Sequence, residues 1–201
     1  MPTLALVLYA VYLLLAFGVR TVVQVRRTGS TGFKGIGGRP GSAEWLAGVG
    51  FTLAIVLGAS APILDLLDVA DPIGALDGPA AHVAGAILAV AGIAATLYAQ
   101  MAMGESWRIG VDPEERTQLV TSGPFGLVRN PIFSAMLPTA LGLTLLVPSW
   151  VAIAGLVGLV VALEVQVRVV EEPYLLRAHG EAYAAYARRV GRFVPGLGRL
   201  R

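Results

Sequence analysis

The chain has 201 residues, of which 56% are hydrophobic and only 14% charged, with a net charge of +2. Soluble domains carry about a quarter charged residues, so this composition describes a membrane protein rather than a soluble enzyme. It has no cysteine, and its two histidines, His82 and His179, lie far apart; there is no basis for disulfides, thiolate chemistry or a histidine-built metal site, and the small arginine-borne excess of positive charge gives no nucleic-acid surface.

The first apolar stretch covers residues 3–25. Met1-Pro2-Thr3 offers no basic start and the run is too long for a signal peptide, so it reads as a retained helix. GSTGFKGIGGRPG at 29–41 lacks the Lys-Ser/Thr ending and the strand–turn–helix setting of a phosphate loop, and reads as a flexible basic connector. A second apolar stretch covers 43–64, and the linker after it holds Asp65, Asp68, Asp71 and Asp77 with no Lys or Arg. The third stretch, 80–103, leads into a long segment of mixed charge, 104–130, with an internal turn, TSGPFG. The fourth and fifth, 131–147 and 150–170, are separated only by Pro148-Ser149 and so form a tight helical hairpin. Each stretch is long enough to cross roughly 30 Å of hydrocarbon at about 1.5 Å per residue.

From Glu171 the tail reads EEPYLLRAHGEAYAAYARRVGRF. Tyr174, Leu175, Tyr183, Tyr186 and Val190 recur at near-helical spacing, which predicts an amphipathic helix or helix pair packed under the membrane domain. Basic residues gather in alternate loops: Arg26, Arg27, Lys34 and Arg39, then Arg108, Arg116 and Arg129, then Arg177, Arg188, Arg189, Arg192, Arg199 and Arg201. The positive-inside rule then gives an outside N-terminus, five crossings and a cytoplasmic C-terminus.

Polar residues intrude at two places. In ALEVQVRVVEEPYL, helical spacing puts Glu164, Arg168, Glu171 and Glu172 along one side, with Gln166 off it. The row is either a self-neutralising pair with a solvated helix end, or a site, since ionisable groups in a span usually face a cavity or a partner. In GPFGLVRNP, Arg129 suits a membrane-end anchor, Asn130 a helix N-cap and Pro131 the first helical position. Each part has an ordinary explanation by itself; their combination calls for another.

LVTSGPFGLVRNPIF at 119–133 and EEPYLLRAHGEAYAAYARRVGRFVP at 171–195 stand at the two ends of the hairpin. Together they resemble the isoprenylcysteine carboxyl methyltransferase family and the related membrane phospholipid methyltransferases, whose pattern runs L-V-T-x-G-P-Y-x-x-x-R-H-P-x-Y and then E-E-x-x-L. MGESWRIGVDPEERTQ at 103–118 is also similar to bacterial members, so the resemblance covers about 103–195. It implies an all-α, polytopic membrane protein with about five transmembrane helices. Residues 1–201 would form one integral-membrane domain, with two N-terminal spans in 1–79 and a methyltransferase-like part in 80–201. A cytosolic lobe built from loop 104–130 and tail 171–201 would hold S-adenosylmethionine.

By this resemblance Gln118, Leu119 and Val120 line the cofactor and Phe125 stands beside it. Arg129, Asn130, Pro131, Ile132 and Phe133 match the R-H-P-x-Y segment that holds the cofactor's amino-acid end, and Glu171 and Glu172 match the acidic pair implicated in cofactor binding. Arg168 is nearest to a substrate-contacting arginine, with the register off by about one, and Arg189 matches a basic position in the tail. Two departures stand out: Asn130 replaces the histidine and Phe133 the tyrosine. Asparagine keeps a donor and an acceptor but carries no charge, which excludes acid–base chemistry at position 130.

Methyl transfer from a sulfonium is an in-line displacement that needs alignment and exclusion of water. A carboxylate acceptor needs no base; for an amine, thiol or hydroxyl acceptor, Glu164 or Glu171 would serve. Glu164, Arg168 and Arg189 are thus the catalytic candidates. The arginine-rich, lysine-poor composition suits a prokaryotic plasma membrane and a lipid, isoprenoid or small hydrophobic acceptor rather than a prenylated protein. The competing readings are an NADPH-dependent membrane reductase similar to sterol reductases, and a non-catalytic membrane scaffold or transporter.

Overall fold

The computed structural model describes residues 1–33, 35–108, 110 and 118–200, and in them the chain is an all-α polytopic membrane protein. Lys34, Arg116 and Arg201, counted above among the basic residues, lie outside the described residues, as does most of the second half of MGESWRIGVDPEERTQ. Among the described residues four helices are long and apolar enough to cross a bilayer: α1 (Pro2–Thr28), α2 (Ala43–Leu66), α3 (Pro79–Met103, prolonged by a 3-10 turn to Ser106) and α5 (Trp150–His179). Between them α4 spans Pro131–Leu146, and α6 (Glu181–Arg189) follows in the tail.

With 16 residues and a length of about 24 Å, α4 is the shortest of the five apolar helices, and it still runs from one end of the bundle to the other. Both its ends are fixed from outside. The backbone N–H groups of Arg129 and Asn130 donate to the Gly191 and Arg192 carbonyls of the tail (2.8 and 3.1 Å). At the far end, the Ser149 hydroxyl accepts from Ala152 N–H and caps α5 (3.2 Å). The Pro148 carbonyl accepts from Ile73 N–H in the acidic linker (2.6 Å). The basic loops and the tail therefore share one end of the bundle, and the acidic linker and the hairpin tip share the other.

Close helix contact rests on small residues, as in a bundle where lipid supplies no hydrophobic drive between helices. On α3, Gly85, Ala89 and Gly92 face Ala135, Thr139 and Gly142 of α4; a Cβ on Gly142 would lie 2.4 Å from the Ala89 backbone nitrogen. Replacing Gly142 with leucine should therefore destabilise the protein by about 3 kcal/mol or more through overpacking. A thermal-unfolding series in detergent checks this, and an unchanged midpoint would refute it.

Two π-helical turns change the sequence-based picture. The first, Leu14–Val19 in α1, loosens the local ladder, and the Gln100 side-chain amide of α3 donates to the Ala16 carbonyl there (3.0 Å). The second, Gln166–Glu171, lies in α5, which runs unbroken through Pro173; the acidic pair is therefore not a solvated helix end. The extra residue in this turn also splits the expected row of charges. Glu164 and Arg168 pair with each other on an exposed surface, whereas Gln166, expected off that side, donates to Glu171 (3.2 Å). Glu172 turns into the protein.

The Gly-rich segment expected to be a flexible connector is exposed over most of its described length but touches the bundle at two points. Gly32, at φ +69°, lies so close to Trp107 that a Cβ would sit 3.1 Å from its carbonyl oxygen, and Ile36 lies against Gly48 of α2. Beneath it, Arg20 is fully buried and its guanidinium stands 4.5 Å from the Trp107 ring centroid. Arg20 donates to Gln24 Oε1 (2.9 Å) and to the Gly104 carbonyl (2.5 Å), and Gln24 donates to the Glu105 carbonyl (2.8 Å). This network ties α1 to the turn that follows α3.

Candidate functional site

Between the loop end of the bundle and the tail lies a cavity of about 760 Å³, within the range of small-molecule sites. Its deep wall is apolar, built from Phe17, Phe51, Ile55, Met136 and Leu163. Its outer wall is polar and aromatic, with Trp107, Arg108, Gln118, Glu171, His179, Tyr183 and Tyr186. The two walls meet at Phe125 and the run Arg129–Asn130–Pro131–Ile132–Phe133.

Arg129 is the keystone of this junction. Its side chain is 2% exposed, and Nη2 donates to Glu172 Oε1 (2.5 Å) and the Gly198 carbonyl (3.1 Å). Nη1 donates to the Ala187 and Val190 carbonyls (3.0 and 2.5 Å). Its buried Nε–H has no hydrogen-bond partner among the described residues. Glu172 in turn receives a two-pronged contact from Arg192, Nε to Oε1 and Nη2 to Oε2, both at 2.8 Å. Hydrogen bonding to Glu172 holds the Arg192 guanidinium above its ordinary pKa, opposed by burial. One carboxylate thus fastens two arginines, and through them the tail, to the start of α4.

Asn130 occupies the N-cap position without capping α4. Its Nδ2 donates to the Arg192 carbonyl instead (3.1 Å), and the Ser134 hydroxyl donates to the Phe193 carbonyl (2.8 Å). The ordinary N-cap expected of Asn130 is therefore replaced by a second hook on the tail, because the tail's backbone passes within reach of the amide. A third comes from Tyr186, whose hydroxyl donates to the Phe125 carbonyl (2.6 Å). Burial pushes the Tyr183 and Tyr186 hydroxyls up to about 12, with Glu172 adding to the rise at Tyr183, so both stay neutral at ordinary pH.

Gln118, Leu119, Val120, Phe125, Arg129, Asn130, Pro131, Ile132, Phe133 and Glu171 all line the cavity. Glu172 stands behind Arg129 rather than in the wall. Glu164, Arg168 and Arg189 are placed elsewhere: the first two form their exposed pair, and Arg189 lies exposed on α6. The π turn and the short tail helix carry these three away from the wall.

The sequence reading passed over Arg192, the loop residues Thr31–Gly37, and the polar groups on α1 and α3, of which Tyr12 and Gln100 line the cavity. Arg20 and Gln24, four apart inside the first apolar stretch, carried a signal that went unused: an ionisable residue in a span calls for a partner. Among the described residues no three His, Asp or Glu side chains converge as a metal site would need.

For a donor such as S-adenosylmethionine, the side chains present fit. Glu171 lines the cavity with carboxylate capacity beyond the hydrogen bond it accepts from Gln166, and Phe125, Tyr183 and Tyr186 share the wall with it. The phospholipid methyltransferase family model matches residues 80–182, just over half of the chain, and the chain belongs to that family. No curated protein matches it. The match takes in α3, α4 and α5 but not α1, α2 or the Arg192 hook.

Proposed function

We propose that this member of the phospholipid methyltransferase family uses S-adenosylmethionine to methylate a lipophilic acceptor at the membrane boundary. The observation that supports the reading is the two-faced cavity, apolar where it reaches between the helices and polar beneath the tail, in a chain of this family. S-adenosylmethionine, when bound, supplies an electrophilic methyl group on a positively charged sulfur.

The residues have the following roles in this reading. Glu171 faces the cofactor's positive charge or its hydroxyls, with Gln166 fixing the carboxylate. Gln118, Leu119, Val120 and Phe125 enclose it, and the Pro131–Ile132–Phe133 turn forms its floor. Arg129, Asn130 and Glu172 act as positioning residues that hold the tail over the site and keep water out. Glu171 is also the base for an acceptor that must lose a proton, since Glu164 lies outside the wall. The domain division follows: 80–201 supplies the cofactor side, and the two N-terminal spans in 1–79 supply Phe17 and Phe51 to the acceptor side. The loop end is cytoplasmic by the positive-inside rule.

Isothermal titration of the detergent-purified protein tests the reading. Binding of S-adenosylmethionine and of S-adenosylhomocysteine is expected, and no binding of NADPH. Binding of NADPH with neither of the other two would replace it with a reductase.

A further inference from the structure

The tail side of the cavity is fastened through the four acceptors of Arg129. The side toward the N-terminal spans is built differently. There Phe17 and Thr21 of α1 and Gly48, Phe51 and Thr52 of α2 line the cavity. Toward the far end the two helices meet: α1 packs on α2 through Pro2–Leu13, and the Tyr9 hydroxyl donates to the Ile55 carbonyl (2.7 Å). Beyond Leu13 they part, and the cavity lies between them. Thr52 lines the cavity and is exposed, which puts the cavity's edge at the surface here.

The head of this gap is crossed by residues 35–41, of which Gly35, Ile36 and Gly37 line the cavity. Ile36 rests in a notch on α2 that exists because Gly48 has no side chain: a Cβ there would lie 2.7 Å from Ile36 Cγ2. The seat is shallow. Ile36 is 46% exposed, so leaving the notch uncovers little apolar area and costs little free energy. A glycine flanks it on each side, Gly35 at φ +77° and Gly41 at φ +85°. At both, the space a Cβ would occupy has no neighbour within 4 Å. Glycines in the left-handed region with open space around them can absorb a large backbone rotation. Gly37 and Gly38, between them, lie against the Glu44 side chain in the first turn of α2, and that side chain is free to follow a movement.

We propose that residues 35–41 are a gate through which a long-chain lipophile enters the cavity between α1 and α2. Ile36 is the latch, Gly48 the notch that receives it, and Gly35 and Gly41 are the hinges. The wall behind the gate, with Phe17, Phe51, Ile55 and Met136, suits an alkyl or isoprenoid chain. The family match begins at residue 80, so the gate belongs to the part of the chain outside it. The inference rests on the proposed methyl transfer only in calling that lipophile the acceptor.

The chain has no cysteine, so an introduced pair can be read without background. The Ile36 Cβ lies 3.4 Å from a Cβ built on Gly48. Disulfides join Cβ atoms about 3.5–4.5 Å apart, so Ile36→Cys/Gly48→Cys should lock the gate in the position seen when oxidised, and dithiothreitol should release it. The probe is palmitate carrying a mid-chain diazirine, given to the full chain in phosphatidylcholine nanodiscs. Photolabelling is read at Met136, which lines the cavity and is buried, with exposed Val161 as the control for the surrounding bilayer. Oxidation should lower labelling of Met136 at least about tenfold, because it removes the population able to admit a ligand. Val161 should be labelled as before, and reduction should restore Met136. Ile36→Ala, which removes the latch, should label Met136 faster than wild type does, and it decides the matter alone if the pair does not oxidise. Equal Met136 labelling in the oxidised and reduced pair, or in Ile36→Ala and wild type, would overturn the proposal. S-adenosylmethionine titration of wild type separates the two ideas. Labelling that obeys the lock in a protein that binds no S-adenosylmethionine keeps the gate and sinks the methyltransferase reading.

Discussion

Arg129→Lys should free the tail and weaken S-adenosylmethionine binding by about two to three orders of magnitude. The arginine fork reaches four acceptors on separate parts of the chain, Glu172, Ala187, Val190 and Gly198. A lysine ammonium has three protons on one atom and no planar fork, so it cannot span them. The side chain is 2% exposed, so every acceptor it drops stays dry. Breaking a buried pair from one side costs about 3–5 kcal/mol, which is roughly a hundredfold to several thousandfold in an equilibrium. Arg192 still grips Glu172 in the variant, which keeps the effect at the lower end of that range. Two measurements follow the loss. Trypsin should cut after Arg188, Arg189 or Arg192 far sooner than in wild type, and calorimetry should show the weakened cofactor. A variant with the wild-type digestion rate and affinity would show that Arg129 is an ordinary membrane-end anchor.

The fold class was open to sequence reading because hydrocarbon thickness and helix rise leave few choices for long apolar runs. The joining of GPFGLVRNP to EEPYLL was open only as a pattern with two halves, each of them ordinary alone. What escaped were the consequences of small backbone events. One extra residue in the π turn Gln166–Glu171 exchanges Gln166 for Glu164 on the inner side of α5, and no periodicity of the apolar residues announces it. The choice of Arg192 over Arg189 depends on where the chain folds back. Val128 and Gly191 form an isolated bridge there, and a Cβ on Gly191 would lie 2.2 Å from the Val194 carbonyl oxygen. Arg192 is thereby swung onto Glu172 while Arg189 stays outside. Arg20 differs from these: its position inside an apolar stretch was visible, and its burial against Trp107 is what an unpaired charge in a span demands.

Glu171→Gln and Glu172→Gln should behave as opposites although the residues are neighbours of like charge. Both oxygens of Glu172 are taken by Arg129 and Arg192, so its loss is felt as tail release, read by trypsin as in Arg129→Lys. Among the described residues Glu171 accepts one hydrogen bond, from Gln166 at 3.2 Å, and it lines the cavity. The amide in Glu171→Gln keeps the shape and the neighbour, so the tail should stay docked and digestion should match wild type. What is lost is the negative charge opposite a cationic cofactor. A hydrogen bond to a charged group is worth about 1.5–3 kcal/mol, or roughly ten- to a hundredfold in affinity. S-adenosylmethionine should therefore bind ten- to a hundredfold more weakly to Glu171→Gln, with no change in tail protection. If Glu171→Gln bound the cofactor like wild type, the carboxylate would not be a cofactor ligand. If it released the tail as Glu172→Gln does, the pair would act as one structural unit and the division of labour between them would fall.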